Sequence, residues 1–360
     1  MNEAELLLET LRFGEVDAGR LADEWARVDT RGLDRLLALE QCEVWLHRRL
    51  GSLGLLDTLE PTFAGSLARR ARAVAAHGLL VDAQLQATVR ALNRLDIPHV
   101  LLKGAARRLL ATRMPFADAR AMGDVDVLVP AELARGAWEA FTEAGFHVAY
   151  DPTLTPDGHY HLLPIVDDLS VVVELHASLF GLPPAEAWRR QWDGSLRVET
   201  PGGGTRVPCP TELFWHALTH CLQHGVGAFN LRFLLDIASV WASEEDLAWD
   251  VVIRRWEGDE IAQRAHARLW LGEAAWLAGR DGSEAFGPLP HGHLQRLLRW
   301  RLAWLRREPS RRFAEKLLEE AARVEFGLPV APLIGGTGPW ESSRRRAASL
   351  LGRAAYLAWR

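Results

Sequence analysis

At 360 residues, 48% apolar and 25% charged, the chain has the balance of an ordinary soluble globular protein, with length for two packed units or one domain and a large appendage. That balance excludes a mostly disordered chain, and no apolar run approaches the ~18 residues a membrane-spanning helix needs. The net charge of −5 conceals an asymmetry: residues 296–360 hold fourteen basic side chains against six acidic ones, a surplus of eight, so the remainder carries −13.

The opening MNEAELLLET is acidic where a secretory leader would be basic and then apolar, and Cys42, Cys209 and Cys221 stand at spacings of neither a disulfide framework nor a zinc knuckle. Both features predict a cytoplasmic protein. Of the 42 basic side chains only Lys103 and Lys316 are lysines. A chain that otherwise uses arginine has placed a compact, flexible ammonium at 103, or has done so by chance.

Residues 1–95 read as helical, with apolar positions three and four apart through Leu33, Leu36, Leu37, Cys42, Val44 and Trp45 and again from Leu67 to Leu95. Gly51, Gly54 and Pro61 divide the two halves. After Pro98 the period changes, and His99–Leu102 predicts a short buried strand followed by a helix over 105–112. Met114–Gly123 is a loop by composition. Val125–Val129, Phe146–Tyr150, Tyr160–Val166 and Val171–His176 are strand candidates, with an amphipathic helix over 131–144. Leu196–Val198 and Thr205–Val207 flank Pro201–Gly204 as a hairpin. Helical periodicity resumes at Thr211 and continues, apart from a Gly/Pro-rich loop at 327–340.

The expected fold class is therefore α+β, a small mixed sheet at 96–208 flanked by a helical N-terminal region (1–95) and a helical C-terminal region (209–360).

Asp124 and Asp126 lie two apart at the mouth of a strand, so their carboxylates share one face. Adjacent carboxylates on a rigid element repel each other unless a divalent cation neutralises them, an arrangement that suits Mg²⁺. The same pair is also what a strand-edge turn with two solvated aspartates would show. Glu174 stands inside the branched run Val171–His176, where a lone carboxylate must be paired, protonated or metal-bound. Beside strand 125–129 it becomes a third ligand, and three carboxylates around two metal ions suit an in-line phosphoryl or nucleotidyl displacement. Lys103 and Gly104, at a strand-to-helix junction, would offer an ammonium and a close backbone approach to phosphate, and Arg120 a second clamp.

Taken together, LLKGAA, an arginine-bearing loop, GDVDVLV and VVVELH resemble the nucleotidyltransferases of the DNA polymerase β superfamily. The nearest likeness is to a little-characterised bacterial group with Lys-Gly in place of Gly-Ser. That group also shows a histidine-bearing helix followed by arginine and aspartate, which HALTHCLQHG and LRFLLDIASVW match as His220, His224, Arg232 and Asp236. The resemblance, over roughly 70–245, implies an Mg²⁺-dependent enzyme, with two ions, that moves a nucleoside monophosphate from an NTP to an unidentified small-molecule, peptide or protein acceptor. It implies Asp124, Asp126 and Glu174 as catalytic metal ligands, and Lys103, Gly104, Arg120, His220 and Asp236 as nucleotide-binding residues. Ala105 stands where the wider superfamily has serine. Two alternatives follow: a tRNA-modifying, toxin-like enzyme using the basic C-terminal stretch on RNA, and a catalytically silent binding protein, which Ala105 would favour.

His216, His220 and His224 recur every four residues on one helix. Spread over eight residues they do not converge on one ion, so a core or cleft-lining face is expected. His159, Tyr160 and His161 precede a strand and receive no role. Arg296–Arg312, beside the stripe Leu294, Leu297, Leu298, Leu302 and Leu305, reads as the solvated face of a packed helix.

Overall fold

The computed structural model describes residues 1–114, 116–149, 160–179, 181–224, 231–243, 247–258 and 265–307. Four helices open the chain: α1 (Glu3–Leu11), α2 (Ala18–Trp25), α3 (Leu33–Glu40) and α4 (Glu43–Ser52). Asn2 and Glu5 close a capping box on α1, satisfying N–H groups that its first turn leaves free. The second N-terminal half is one 34-residue helix, α5 (Pro61–Arg94). Pro61 occupies a first-turn position that lacks an N–H partner anyway, and the Glu60 carboxylate accepts the N–H groups of Thr62 and Phe63, both at 2.9 Å.

The α+β centre follows as β1 (Val100–Leu101), α6 (Lys103–Leu109), β2 (Asp124–Leu128), α7 (Ala131–Glu143), β3 (His147–Val148), β4 (Ile165–Val166) and β5 (Val172–His176). The sheet order is β1-β2-β5-β4-β3; β2 and β5 run parallel and the other neighbours antiparallel. A parallel pair needs a crossover, and α7 with β3 and β4 supplies it. Predicted strands are shorter than expected where β1, β3 and β4 keep two residues each. Pro164 has no N–H for a ladder, so of Tyr160–Val166 only Ile165–Val166 pairs as a strand, while His161 makes an isolated bridge to His176.

Next come α8 (Pro184–Trp192), which apolar periodicity did not reveal, and the hairpin β6 (Leu196–Thr200) with β7 (Gly203–Val207). Thr200 pairs with Gly203, so Pro201 and Gly202 alone form the turn, and Gly203 and Gly204 belong to the strand. The α5 side chain of Asn93 donates to the Gly204 carbonyl at 3.1 Å and fastens the hairpin. The remaining described helices are α9 (Pro210–His224), α10 (Leu231–Ser243), α11 (Trp249–Gly258), α12 (Ala265–Ala278), α13 (Ser283–Phe286) and α14 (His293–Arg307).

One continuous apolar cluster runs from Ala4 to Leu305 and takes in Val125, Val127, Val173 and Leu175 from one face of the sheet. A smaller patch of Val100, Leu102, Leu128, Leu179 and Ala187 lies apart from it. Alternation along β2 and β5 places Asp124, Asp126, Glu174 and His176 opposite the large core. Glu40 of α3 is fully buried, accepts the Leu231 N–H at 2.8 Å where α10 begins, and is ion-paired with Arg301 of α14. This pair corrects the expectation of a wholly solvated arginine face on α14: Leu294, Leu298, Leu302 and Leu305 are buried, and so is Arg301. Among the described residues no helix is long and apolar enough to cross a membrane.

Candidate active site

The parallel register sets Asp126 directly opposite Glu174 and Asp124 opposite Val172. The third carboxylate thus lies beside the first two, on the same sheet face. Asp126 is almost fully buried and receives two donors on one oxygen: Lys103 Nζ at 2.6 Å and His176 Nε2 at 2.8 Å. His176 Nε2 also lies 3.7 Å from Glu174 Oε2, and His161 Nε2 lies 3.9 Å from the same oxygen. The carboxylates of Asp126 and Glu174 and the His176 imidazole bring ligand atoms within 4.8 Å of one another, a donor set that could hold a metal ion.

The charges explain one another. Burial, reinforced by the Asp126 and Glu174 carboxylates, pushes Asp124 up to about 6. Burial opposes the charge of Asp126 too, but Lys103 and His176 hold it well below the usual carboxylate range. Burial likewise disfavours charge on Lys103, yet the attraction of Asp126, Glu174 and Asp124 raises its pKa. His176 is pulled upward against its burial by hydrogen bonds to Asp126 and Glu174.

Lys103 is the first residue of α6 and takes a left-handed φ of 45°, a conformation costing on the order of 1 kcal/mol outside glycine. From this position its ammonium reaches Asp126. The helix starts two residues before the predicted 105 and has only seven residues, so its dipole is a small contributor. Gly104 acts through its missing side chain: a Cβ there would overlap Arg120 Nη1 and lie 3.0 Å from Met122 Cγ and Sδ. His77 Nε2 shares a hydrogen bond with the Met122 carbonyl at 2.9 Å, which ties this loop to α5.

Arg120 reaches over Gly104 to Asp236 on α10, with Nε 3.0 Å from Oδ2. Arg107, one turn beyond Lys103, donates to the Asp236 carbonyl at 2.6 Å and lies 3.5 Å from its Oδ1. Burial lowers Arg232 to about 10, with Arg120 adding to the fall and Asp236 and Asp124 opposing it; its Nε is buried with no hydrogen-bond partner. Three guanidinium groups thus surround one Asp236 carboxylate, beside Asp124. This cationic surplus borders the acidic cluster.

Of the predicted residues, Lys103, Asp124, Asp126 and Glu174 converge, and Gly104, Arg120 and Asp236 form an adjoining arm. His220 stacks edge-on against Phe233, with ring centroids 5.4 Å apart. His216 is the α9 histidine whose charge environment includes Lys103, Asp126 and His176; burial, then Lys103, lowers it to about 3, and its Nδ1 is buried without a partner. His159 and the side chain of His224 lie outside the described residues. Sequence reasoning passed over His176 and Arg107, and set His216 only on a core or cleft-lining face. His176 follows Glu174 by two, the same alternation that pairs Asp124 with Asp126, and Arg107 follows Lys103 by four on one helix face. Tyr160 and His161, given no role, pack on His176 with ring centroids at 5.6 and 5.3 Å.

Substitution of Gly104 by alanine is expected to displace Arg120 from Asp236 and to cost about 1–3 kcal/mol of stability through overpacking. Denaturant unfolding of G104A against wild type checks it.

The mixed sheet thus presents three carboxylates beside one lysine, with the arginines around Asp236 bordering them. Residues 27–278 match the model of a family described as uncharacterised nucleotidyltransferase, well over half of the chain, and the protein belongs to that family. A comparison with curated proteins gives no match.

Proposed function

We propose that the protein transfers a nucleoside monophosphate from an NTP to a hydroxyl-bearing small molecule, peptide or protein, using Mg²⁺ at Asp124, Asp126 and Glu174. The observation that carries this reading is the β2–β5 register, which aligns Asp126 with Glu174 and leaves Asp124 on the same face. The residues fit a divalent cation: Asp126, Glu174 and His176 bring ligand atoms within 4.8 Å of one another, and burial, reinforced by the neighbouring carboxylates, pushes Asp124 up to about 6. When bound, such ions neutralise phosphate charge and acidify an acceptor hydroxyl.

The chain's own residues do the rest. Lys103 stands between the carboxylates and the expected phosphates, and its flexible stem lets it turn from Asp126 to a phosphate oxygen. Arg120 is held by Asp236 in a fixed orientation, and Arg232 brings a buried guanidinium edge beside it. Positioning and charge stabilisation of this kind dominate phosphoryl transfer. The Ala105 side chain is buried in the large apolar cluster, so a hydroxyl missing at 105 takes nothing from the cleft wall. That weakens the silent-scaffold alternative. Within the described part of the basic stretch, Arg301 pairs with Glu40 and Arg306 with Glu3, whereas Arg296 and Arg299 are exposed, so the RNA-directed alternative rests on these two and on residues 308–360.

Incubation with α-labelled NTPs, Mg²⁺ and cell extract tests the reading. The wild type is expected to label an acceptor, and the double variant Asp124→Ala, Asp126→Ala to leave it unlabelled. Equal labelling by both removes the catalytic assignment. Nucleotide binding without transfer favours the silent scaffold, and RNase-sensitive label favours RNA.

A further inference from the structure

The acidic cluster contains an imidazole that the three-carboxylate reading does not use. His176 is fully buried at the end of β5, two residues beyond Glu174 and on the same face. Its Nε2 lies 2.8 Å from Asp126 Oδ1 and 3.7 Å from Glu174 Oε2, while its Nδ1 is buried with no partner. The ring has one engaged nitrogen, and that nitrogen faces the carboxylates. Tyr160 stacks on the ring with an interplanar angle of 27° and His161 meets it at 61°, so its orientation is held from two sides.

We infer that His176 Nε2 is a ligand to the cation held by Asp126 and Glu174, and that this site takes a first-row transition-metal divalent ion such as Mn²⁺ in preference to Mg²⁺. The inference rests on reading the cluster as a metal centre. Two donors on adjacent corners of an octahedron with bonds of about 2.1 Å lie about 3 Å apart, close to the Asp126–His176 separation. Glu174 completes the set, all three ligand atoms lying within 4.8 Å of one another. Oxygen-only sites suit Mg²⁺, whereas imidazole nitrogen raises affinity along the series from Mn²⁺ towards Zn²⁺ much more than for Mg²⁺. A purely structural His176 would donate to Asp126 and leave metal preference untouched.

Pulsed electron paramagnetic resonance on the Mn²⁺-loaded full chain decides between them. Wild type is expected to show nitrogen hyperfine modulation that changes when histidine carries the heavier nitrogen isotope, a readout that needs no variant. His176→Gln is expected to lose it and to bind Mn²⁺ at least about tenfold more weakly, with Mg²⁺ affinity changed less than threefold, whereas His161→Gln keeps the signal. Absence of modulation in wild type, its retention in H176Q, or an unchanged ratio of Mn²⁺ to Mg²⁺ affinity overturns the inference. If H176Q fails to fold, nitrogen coupling retained in both His161→Gln and His216→Gln still assigns the ligand to His176, and its loss in either overturns the inference. Mg²⁺-dependent transfer without nitrogen coupling sinks this inference alone; absence of both metal binding and transfer sinks the reading beneath it.

Discussion

Asp126→Asn is expected to lower kcat/KM for nucleotidyl transfer by at least about 10³-fold, near 4 kcal/mol of transition-state stabilisation, while leaving the protein folded. Asparagine keeps the shape of the side chain and removes the charge on which the site converges. In the wild type that carboxylate meets Lys103 at 2.6 Å and His176 at 2.8 Å, directly opposite Glu174 on the neighbouring strand. Breaking a buried ion pair by deleting one partner ordinarily costs about 3–5 kcal/mol because the other charge is stranded. Here Lys103 also feels Glu174 and Asp124, so the stranding is partial and the folded state survives. Steady-state kinetics with thermal unfolding on the same samples check both halves. Retention of more than a tenth of wild-type activity in a folded variant removes Asp126 from the reaction.

How much of this was legible in the sequence depends on the range over which each feature is encoded. Period-two alternation is local, so Asp124 and Asp126 could be set on one face without coordinates, and a carboxylate inside the run Val171–His176 marked Glu174 as needing a partner. The same alternation reaches His176, but a histidine ending a strand draws no notice until the Asp126 oxygen is seen 2.8 Å away. The Arg120–Asp236 pair spans 116 residues and joins a loop to α10, so no spacing rule reaches it. Gly104 was legible as a special position, but the space it clears for Arg120 and Met122 was not. The left-handed Lys103 was likewise hidden, because a positive φ favours glycine and nothing local in the sequence marks it at a lysine. The α14 arginines show the opposite failure. Their periodicity was read correctly, but Glu40, 261 residues away, turns Arg301 from a solvated charge into a buried one.

Asp236→Asn is expected to cost about 3–5 kcal/mol of stability at neutral pH, a larger effect than its distance from the carboxylate cluster would suggest. Arg107 and Arg120 are both almost fully buried, and Arg232 lies beside them, so removing the one carboxylate they surround leaves guanidinium groups facing each other in a poorly solvated space. Arg107 keeps its bonds to the Asp236 carbonyl and to Ser239, whereas Arg120 loses its carboxylate partner. The pH dependence separates this charge effect from a packing defect. Burial opposes the charge on Asp236, but Arg120, Arg107 and Arg232 depress its pKa below the ordinary 3.8. A depressed carboxylate contributes stability that is fully present above its unfolded pKa and is lost as pH falls through its folded one. The gap in unfolding free energy between wild type and D236N should therefore be constant from neutral pH down to about 5 and shrink below about 4. Denaturant unfolding across that window checks it, since the other carboxylates titrate in both proteins and cancel in the difference. A gap that stays constant into strong acid would assign the loss to shape and free the three arginines from dependence on Asp236.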